Sequence, residues 1–399
     1  MTSEMKDGIR KILSKRETAA KGRPAYGYKV PYRDANGKQT SETFTNLRDA
    51  KAFRDKARSK KHEGLIFDVK AGRVSFRAYA EQWLGNKEAV KKAGTASQYR
   101  SHLTNHAIPF FGGKRMNSVL PSDMQTWVAW LKGKQKLAPS TIETVYTIVA
   151  SLFRTAVRDK VLAESPCVGI ELPKKDDKKA VPLTPKQVHA VAEAIVSHYR
   201  AMVILAAGTG LRQGECFGLT VDRVDFLRKT LTVDRQIVQG GMFDTPKTKA
   251  SARTIPLPDT VISALAQHLA DHPAEEREVA WVDGHKEAVR LVFTSSRSNP
   301  LRRSTFNPAW QRAAGAGGLT KGVGFHALRH AYASLLIARN VSPKVIQARM
   351  GHASITETMD TYGHLYPESE EVTRAAIDDA LSVDTGVSVD KMMTRDQIA

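Results

Sequence analysis

The strongest constraint on the fold is a break in the chain. Pro173-Lys-Lys-Asp-Asp-Lys-Lys-Ala-Val-Pro182 is closed by proline at both ends and holds no large apolar residue before Val181. Proline removes a backbone donor, and a charged run has nothing to bury, so no helix, strand or core continues through it. The chain must therefore fold as separate bodies on either side. At roughly 100–200 residues per domain, 399 residues allow two to four of them.

The spacing on each side predicts the bodies. Residues 1–24 form a basic leader, expected to be flexible. Ala25 to Arg33 alternates as a strand does, Asp34-Ala-Asn-Gly37 is a hairpin turn, a second strand passes through Thr43-Phe44-Thr45, and Leu47 to Lys61 reads as a basic helix. A small sheet-plus-helix domain is thus expected over 25–65, then a linker over 66–73. Residues 74–172 read as an all-α bundle. Ser75 precedes its first helix, and Thr95-Ala-Ser-Gln98, Ser122-Asp-Met-Gln125 and Ser140-Thr-Ile-Glu143 have capping-box form. Ile142, Val145, Tyr146, Val149, Leu152, Phe153 and Val157 mark a buried helical face. After the linker over 173–183, Thr184-Pro185 starts a mainly α domain over 184–367. It holds a small antiparallel sheet from Val224-Asp-Phe226, Thr230 to Val233 and Arg253 to Leu257, and Ser342-Pro343 starts a later helix. A C-terminal helix, Glu370 to Leu381, and an acidic tail complete residues 368–399. The fold class is α+β, multidomain.

Composition narrows the function. The net charge of +20 attracts polyanions, of which nucleic acid is the commonest. Residues 1–65 and 66–175 each carry 17 basic and 8 acidic residues, whereas residues 366–399 carry 3 and 8. Most of the excess sits ahead of the break, residues 176–365 carry 24 basic and 17 acidic, and the acidic tail is not expected to contact DNA. Cys167 and Cys216 are too few for a disulfide framework or a four-cysteine zinc site, and there is no H-E-x-x-H, C-x-x-C or phosphate-loop motif. Met1 to Arg10 lacks the apolar core of a secretory signal. The longest apolar stretch, near Ala201 to Ala207, is far below the ~18–20 residues of a membrane span. The expectation is a cytoplasmic, DNA-associated protein with no membrane contact, no metal and no cofactor.

Four short stretches beyond the break carry candidate chemistry: Thr209-Gly-Leu-Arg212-Gln-Gly-Glu215, Thr245-Pro-Lys247-Thr-Lys249, His326-Ala-Leu-Arg329-His330, and Met350-Gly-His352 followed by Tyr362 in Asp360-Thr-Tyr-Gly-His364. Singly, each has an ordinary structural explanation. In this order they resemble the tyrosine recombinase (phage integrase) family: T-G-x-R-x-x-E, a lysine on a β-turn, H-x-x-R, G-H, then tyrosine. The resemblance implies a catalytic set of Arg212, Lys247, His326, Arg329, His352 and the nucleophile Tyr362. Glu215 would support Arg212, and His330 is expected to pack or hydrogen-bond within its helix rather than touch phosphate. Many members have nine residues between the histidine and the tyrosine; here there are ten, so a small loop adjustment before Tyr362 is expected.

The residue types suit the reaction. A phosphodiester repels nucleophiles, and its transition state places more charge on the equatorial oxygens. Two guanidiniums can clamp these, and imidazoles can donate or handle protons near pH 7. A phenol of pKa about 10 needs cationic neighbours or a base to attack at that pH. By the resemblance, Lys247 would protonate the leaving 5′ oxygen, and a 3′-phosphotyrosyl link would conserve bond energy without ATP. The domain over 25–65 would bind arm-type DNA sites and the bundle would bind core sites, with Lys51, Arg54, Arg58, Lys91, Lys92 and Arg100 as candidate DNA contacts. Also implied are a homo-tetramer on double-stranded DNA, a directionality factor and a DNA-bending host protein; the C-terminal helix would dock on a neighbouring protomer or, alternatively, fold back in cis. The competing readings are a chromosome or plasmid dimer resolvase, which usually lacks an arm-binding domain, a type IB topoisomerase, and a DNA-binding regulator without catalysis.

Overall fold

The structure, a computed structural model, describes residues 5–6, 8–13, 26–33, 39–62, 71–175, 181–246, 248–366 and 370–381. The chain divides into two compact units, Met1–Asp177 and Lys178–Ala399.

The first unit opens with β1 (Met5–Lys6), β2 (Ile9–Leu13), β3 (Tyr26–Arg33) and β4 (Gln39–Phe44), an antiparallel sheet in that order, followed by α1 (Leu47–His62). Part of the expected leader is therefore a strand. Ile9 is 4% exposed and packs with Val30 and Ala50, so an apolar residue inside a basic run gives β2 its inner face. The anticipated hairpin turn 34–37 lies outside the described residues.

The same unit holds α2 (Phe76–Glu88), α3 (Ala93–His102), a π-turn (Leu103–Ala107), α4 (Ile108–Phe111), α5 (Pro121–Gly133) and α6 (Pro139–Arg158). Ser75 caps α2, its hydroxyl accepting from Ala78 N at 3.2 Å. The other three caps differ from expectation. Leu120, Ala138 and Lys92 stand at N-cap of α5, α6 and α3, and Asp123 rather than a glutamine accepts from the Leu120 N–H. Pro121 and Pro139 explain two of these shifts. Proline fits the first helical turn because its missing N–H would have been unpaired there anyway, which leaves Ser122 and Ser140 already inside their helices. On α6, Ile142, Val145, Val149, Leu152 and Phe153 are buried as the periodicity requires, against Phe76, Phe111 and Trp127. The expected linker 66–73 is partly structured: Ala71–Arg73 form a 3₁₀ turn with Gly72 buried against Asn117.

The second unit runs α7 (Pro185–Ala194), α8 (Ser197–Thr209), α9 (Gln213–Phe217), β5 (Val224–Asp225), β6 (Thr230–Val233), β7 (Gln236–Ile237), β8 (Phe243–Asp244) and β9 (Arg253–Pro256). It continues with α10 (Asp259–Asp271), β10 (Glu276–Ala280), β11 (Lys286–Arg290), α11 (Arg303–Ala316), α12 (Ala327–Ile337), α13 (Pro343–Met350), α14 (Ile355–Tyr362) and α15 (Glu370–Leu381). Thr184 and Gln187 form the capping box that starts α7. The expected sheet is present in the order β5-β6-β9, with Leu231 opposite the buried Ile255. The hairpins β7-β8 and β10-β11 were not anticipated, since their short, charged strands carry little period-2 signal. Among the described residues no helix is long and apolar enough to cross a membrane, and Cys167 and Cys216 are free thiols in different units.

Candidate active site

Two left-handed glycines bring the separate motifs together. Gly210 ends α8 at φ 66° and Gly351 ends α13 at φ 66°, a conformation that costs a side-chain-bearing residue steric strain. A Cβ on Gly210 would also lie 2.4 Å from Tyr332. Each turn presents a carbonyl to an arginine. Arg329, at 2% exposure on α12, donates from Nη1 to Gly210 O and from Nη2 to Met350 O, both at 2.6 Å. Arg212 Nη2 reaches Gly351 O at 3.5 Å. One guanidinium thus ties the end of α8 to the end of α13, across 119 and 21 residues of sequence.

Glu215 holds the other charges in place. Its carboxylate accepts from Arg212 N at 2.9 Å, Arg212 Nη1 at 3.0 Å, and Arg253 Nη1 and Nη2 at 3.3 and 3.0 Å. Arg253 also donates to Arg349 O at 2.7 Å and Ser251 O at 2.8 Å. Burial would raise the Glu215 carboxyl, but Arg253 and then Arg212 outweigh it, and the group is held below the usual carboxylate range. Glu215 thus contacts Arg212 as its place in the motif suggested; its buried partner Arg253 is not among the site residues the sequence singled out. A buried glutamate that serves one partly exposed arginine calls for a second cation, but that burial is set by the fold and left no signal in the sequence.

The titratable residues line up beside this frame. Burial first, then Arg212 and Arg253, lower the Arg329 guanidinium to about 9, which leaves it a cation at neutral pH. Burial, followed by the Arg329, Arg212 and Arg253 charges, brings His352 down to about 4. Its Nδ1 shares a 2.8 Å hydrogen bond with Thr358 Oγ1, and its neutral Nε2 stands 3.6 Å from Glu357 without forming an ion pair. His326, at the N-cap of α12, has an exposed edge. Crowding by protein atoms, then His330, Arg329 and Arg212, lowers it to about 4 as well.

Tyr362 ends α14 and is 1% exposed. Burial pushes its phenol up to about 12, against the opposing pull of Arg329 and Arg212 and with a further push from Glu357. The ten-residue interval from His352 is taken up by a short turn capped at Ser354 and by α14 itself. The hydroxyl is 2.9 Å from His330 Nδ1. His330, expected to pack or hydrogen-bond within its own helix, instead bonds a residue of another one: one turn from His326, it faces the phenol. The residue was legible as the second histidine of H-x-x-R-H, but nothing in the sequence showed where Tyr362 would arrive.

Arg212, His326, Arg329, His352 and Tyr362 thus stand in one site of the second unit, while Lys247 lies outside the described residues. The suggested DNA contacts are dispersed over the first unit. Lys51 is exposed on α1, which also carries Arg58, and Arg54 donates to Asp55 at 2.8 Å. Lys91 and Lys92 are exposed at the start of α3. Arg100 is exposed but bonded at 2.8 and 2.6 Å to both oxygens of Glu88.

The chain is 27% identical to a "Tyrosine recombinase XerC-like" protein of Caldanaerobacter subterraneus subsp. tengcongensis, covering 85% of this chain and 91% of that one. It is 25% identical to the integrase of Mycobacterium phage L5 (78% and 80%). Among solved structures, the Tn1549 transposon integrase in complex with transposon right end DNA is similar at TM-score 0.66 and 22% identity, covering 77% of this chain and 100% of that one. A lambda integrase dimer bound to a core site is similar at TM-score 0.57 and 16% identity (93% and 99%). These two likenesses are of fold. The Phage integrase family model matches residues 181–369 and the model of its N-terminal SAM-like domain matches residues 75–132, together more than half of the sequence. The chain belongs to the phage integrase family of tyrosine recombinases.

Proposed function

We propose that the chain is a site-specific DNA recombinase of integrase type, serving a phage or other mobile element in the cytoplasm of a bacterial host. One observation carries the reading: two arginines, two neutral imidazoles and a buried tyrosine converge in a single site held by Glu215 and Arg253.

In this reading Arg212 and Arg329 clamp the non-bridging oxygens of the scissile phosphate, and His326 and His352 add neutral hydrogen bonds that strengthen as charge develops. Tyr362 Oη attacks phosphorus, the P–O5′ bond breaks, and Lys247 gives the leaving oxygen its proton. The product is a 3′-phosphotyrosyl protein and a free 5′ hydroxyl. A 5′ hydroxyl from another strand then reverses the step. The sheet-plus-helix domain with Lys51, Arg54 and Arg58 would hold arm-type sites, and the bundle with Lys91, Lys92 and Arg100 would hold core sites. A homo-tetramer on double-stranded DNA would couple the cuts. Exposed Ile377 and Leu381 on α15 give a second copy an apolar surface to dock on. A directionality factor and a DNA-bending host protein would set the outcome of the reaction.

The test is a nicked suicide duplex carrying the core site mapped at the ends of the element. Wild type should yield a 3′-linked covalent adduct and Tyr362→Phe none, with equal binding of both to the duplex. Adduct formation by Tyr362→Phe would overturn the reading. A requirement for arm-site DNA separates an integrase from a dimer resolvase.

A further inference from the structure

We infer that His330 is a catalytic residue of this site: its Nδ1 holds the Tyr362 hydroxyl and takes its proton as the oxygen bonds to phosphorus. The inference rests on the recombinase reading above and gives the phenolic proton an acceptor already at hydrogen-bond distance.

The geometry is specific. His330 Nδ1 and Tyr362 Oη are 2.9 Å apart, with the rings edge-on and their centroids 5.6 Å apart. Neither His326 nor His352 shares a hydrogen bond with the phenol among the described residues, and His352 Nδ1 is taken by Thr358. The tyrosine is almost wholly enclosed, so bulk water does not supply the base. The groups facing His330 are His326, whose ring lies 4.9 Å away one turn earlier, the adjacent Arg329, and Tyr362 from α14. Burial and the Arg329 charge keep His330 neutral. A phenol that keeps its proton beside a neutral ring makes Oη the donor and Nδ1 the acceptor.

The step balances without any further reagent. The Tyr362 Oη–P bond forms, the P–O5′ bond breaks, the phenolic proton moves to His330, and the leaving oxygen receives one from Lys247. In the return reaction His330 hands the proton back to the departing phenol. The resulting imidazolium would sit beside Arg329, so it is poised to release its proton at the reverse step.

The experiment uses the full chain on the suicide duplex, with His330→Ala, His330→Asn and Tyr362→Phe. Asparagine places a hydrogen-bonding atom near the Nδ1 position and cannot take the proton. Cleavage by His330→Ala should fall about 10²–10⁴-fold, the range of general base catalysis. Added imidazole should restore it in part, and His330→Asn should lose the acid limb of the wild-type pH profile. A substrate with a 5′-bridging sulfur, whose thiolate leaves without an acid, should rescue Lys247→Ala and leave His330→Ala slow. Folding is checked by equal binding of each variant to the duplex. Two results overturn the inference: cleavage by both His330 variants within threefold of wild type, or a slowing with an unchanged pH profile and no imidazole rescue. If Tyr362→Phe formed the adduct, the recombinase reading itself would fall, whatever the His330 variants did.

Discussion

Replacing Glu215 with glutamine removes one negative charge and almost no volume. The carboxylate accepts four N–H groups, two from Arg212 and two from Arg253. The Glu215 and Arg253 side chains are 3% and 6% exposed, so neither water nor salt screens the pair. Removing one partner of such a buried pair costs about 3–5 kcal/mol, because the other charge is left desolvated. Arg212, at 32% exposure, recovers solvation and adds less. Glutamine keeps one accepting oxygen but turns an NH₂ toward guanidinium donors. Urea titration at pH 7, with hydrogen exchange assigning the transition of the second unit, should therefore show a loss of about 3–5 kcal/mol. Arg253→Met in the Glu215→Gln background should cost less than the two single losses combined, by about 1–3 kcal/mol. The pH dependence has a fixed sign. The carboxyl is depressed in the folded chain, so its contribution is fully present above the unfolded value of about 4.3 and disappears as pH falls through the lower folded value. The advantage of wild type over Glu215→Gln should fade in acid. A loss below 1 kcal/mol at pH 7, additive single effects, or an advantage that persists in strong acid would refute the buried-pair account.

Gly210→Ala combines a φ of 66° with a Cβ 2.4 Å from Tyr332. It should cost at least about 1–2 kcal/mol and lower the melting temperature by roughly 2–8 °C; an unchanged melting curve would contradict the geometry. His352 titrates at about 4 when folded and near 6.5 when unfolded, so the unfolded chain takes up the proton first as pH falls. Stability should drop between pH 6.5 and 4 by an amount on the order of 3 kcal/mol, and less in His352→Gln. An equal loss of unfolding free energy from pH 7 to pH 4.5 in wild type and His352→Gln, read from urea titrations, would show this to be mistaken. Lys91 is exposed with no ion pair among the described residues, whereas Arg100 is held by Glu88. Lys91→Ala should reduce the log-log salt slope of core-site binding by about 1, and Arg100→Ala by less; the reverse order would show that Glu88 releases Arg100 on DNA.

What the sequence disclosed and what it withheld follow from the range of the interactions. Thr184-Pro185, the α6 face and the β5-β6-β9 strands were legible because each is fixed within one helical turn or one strand. The same locality misplaced the α5 and α6 starts by two residues, where a proline outcompeted a serine for the first turn. The candidate set came from the order of motifs that resembles the family, and five of its residues share one site. Their partners were not legible. Arg253 meets Glu215 across 38 positions, and His330 meets Tyr362 across 32. No periodicity links such pairs, and only the turns at Gly210 and Gly351 bring their segments together.

Those partners carry the physical consequence. Tyr362, raised to about 12 by burial, is a poor nucleophile in the arrangement described, although two cationic guanidiniums lie within electrostatic reach of it. A phosphate entering between Arg212 and Arg329 would supply the anion on which those charges act, but its own negative charge would also oppose loss of the phenolic proton. The cations and the phosphate therefore act on the phenol in opposite senses. In the proposed role, the neutral acceptor at hydrogen-bond distance removes the proton only as the oxygen commits to phosphorus, and enclosure of Tyr362 keeps that exchange from water. On this argument, the burial that suppresses the free phenol also confines its reactivity to a bound phosphodiester.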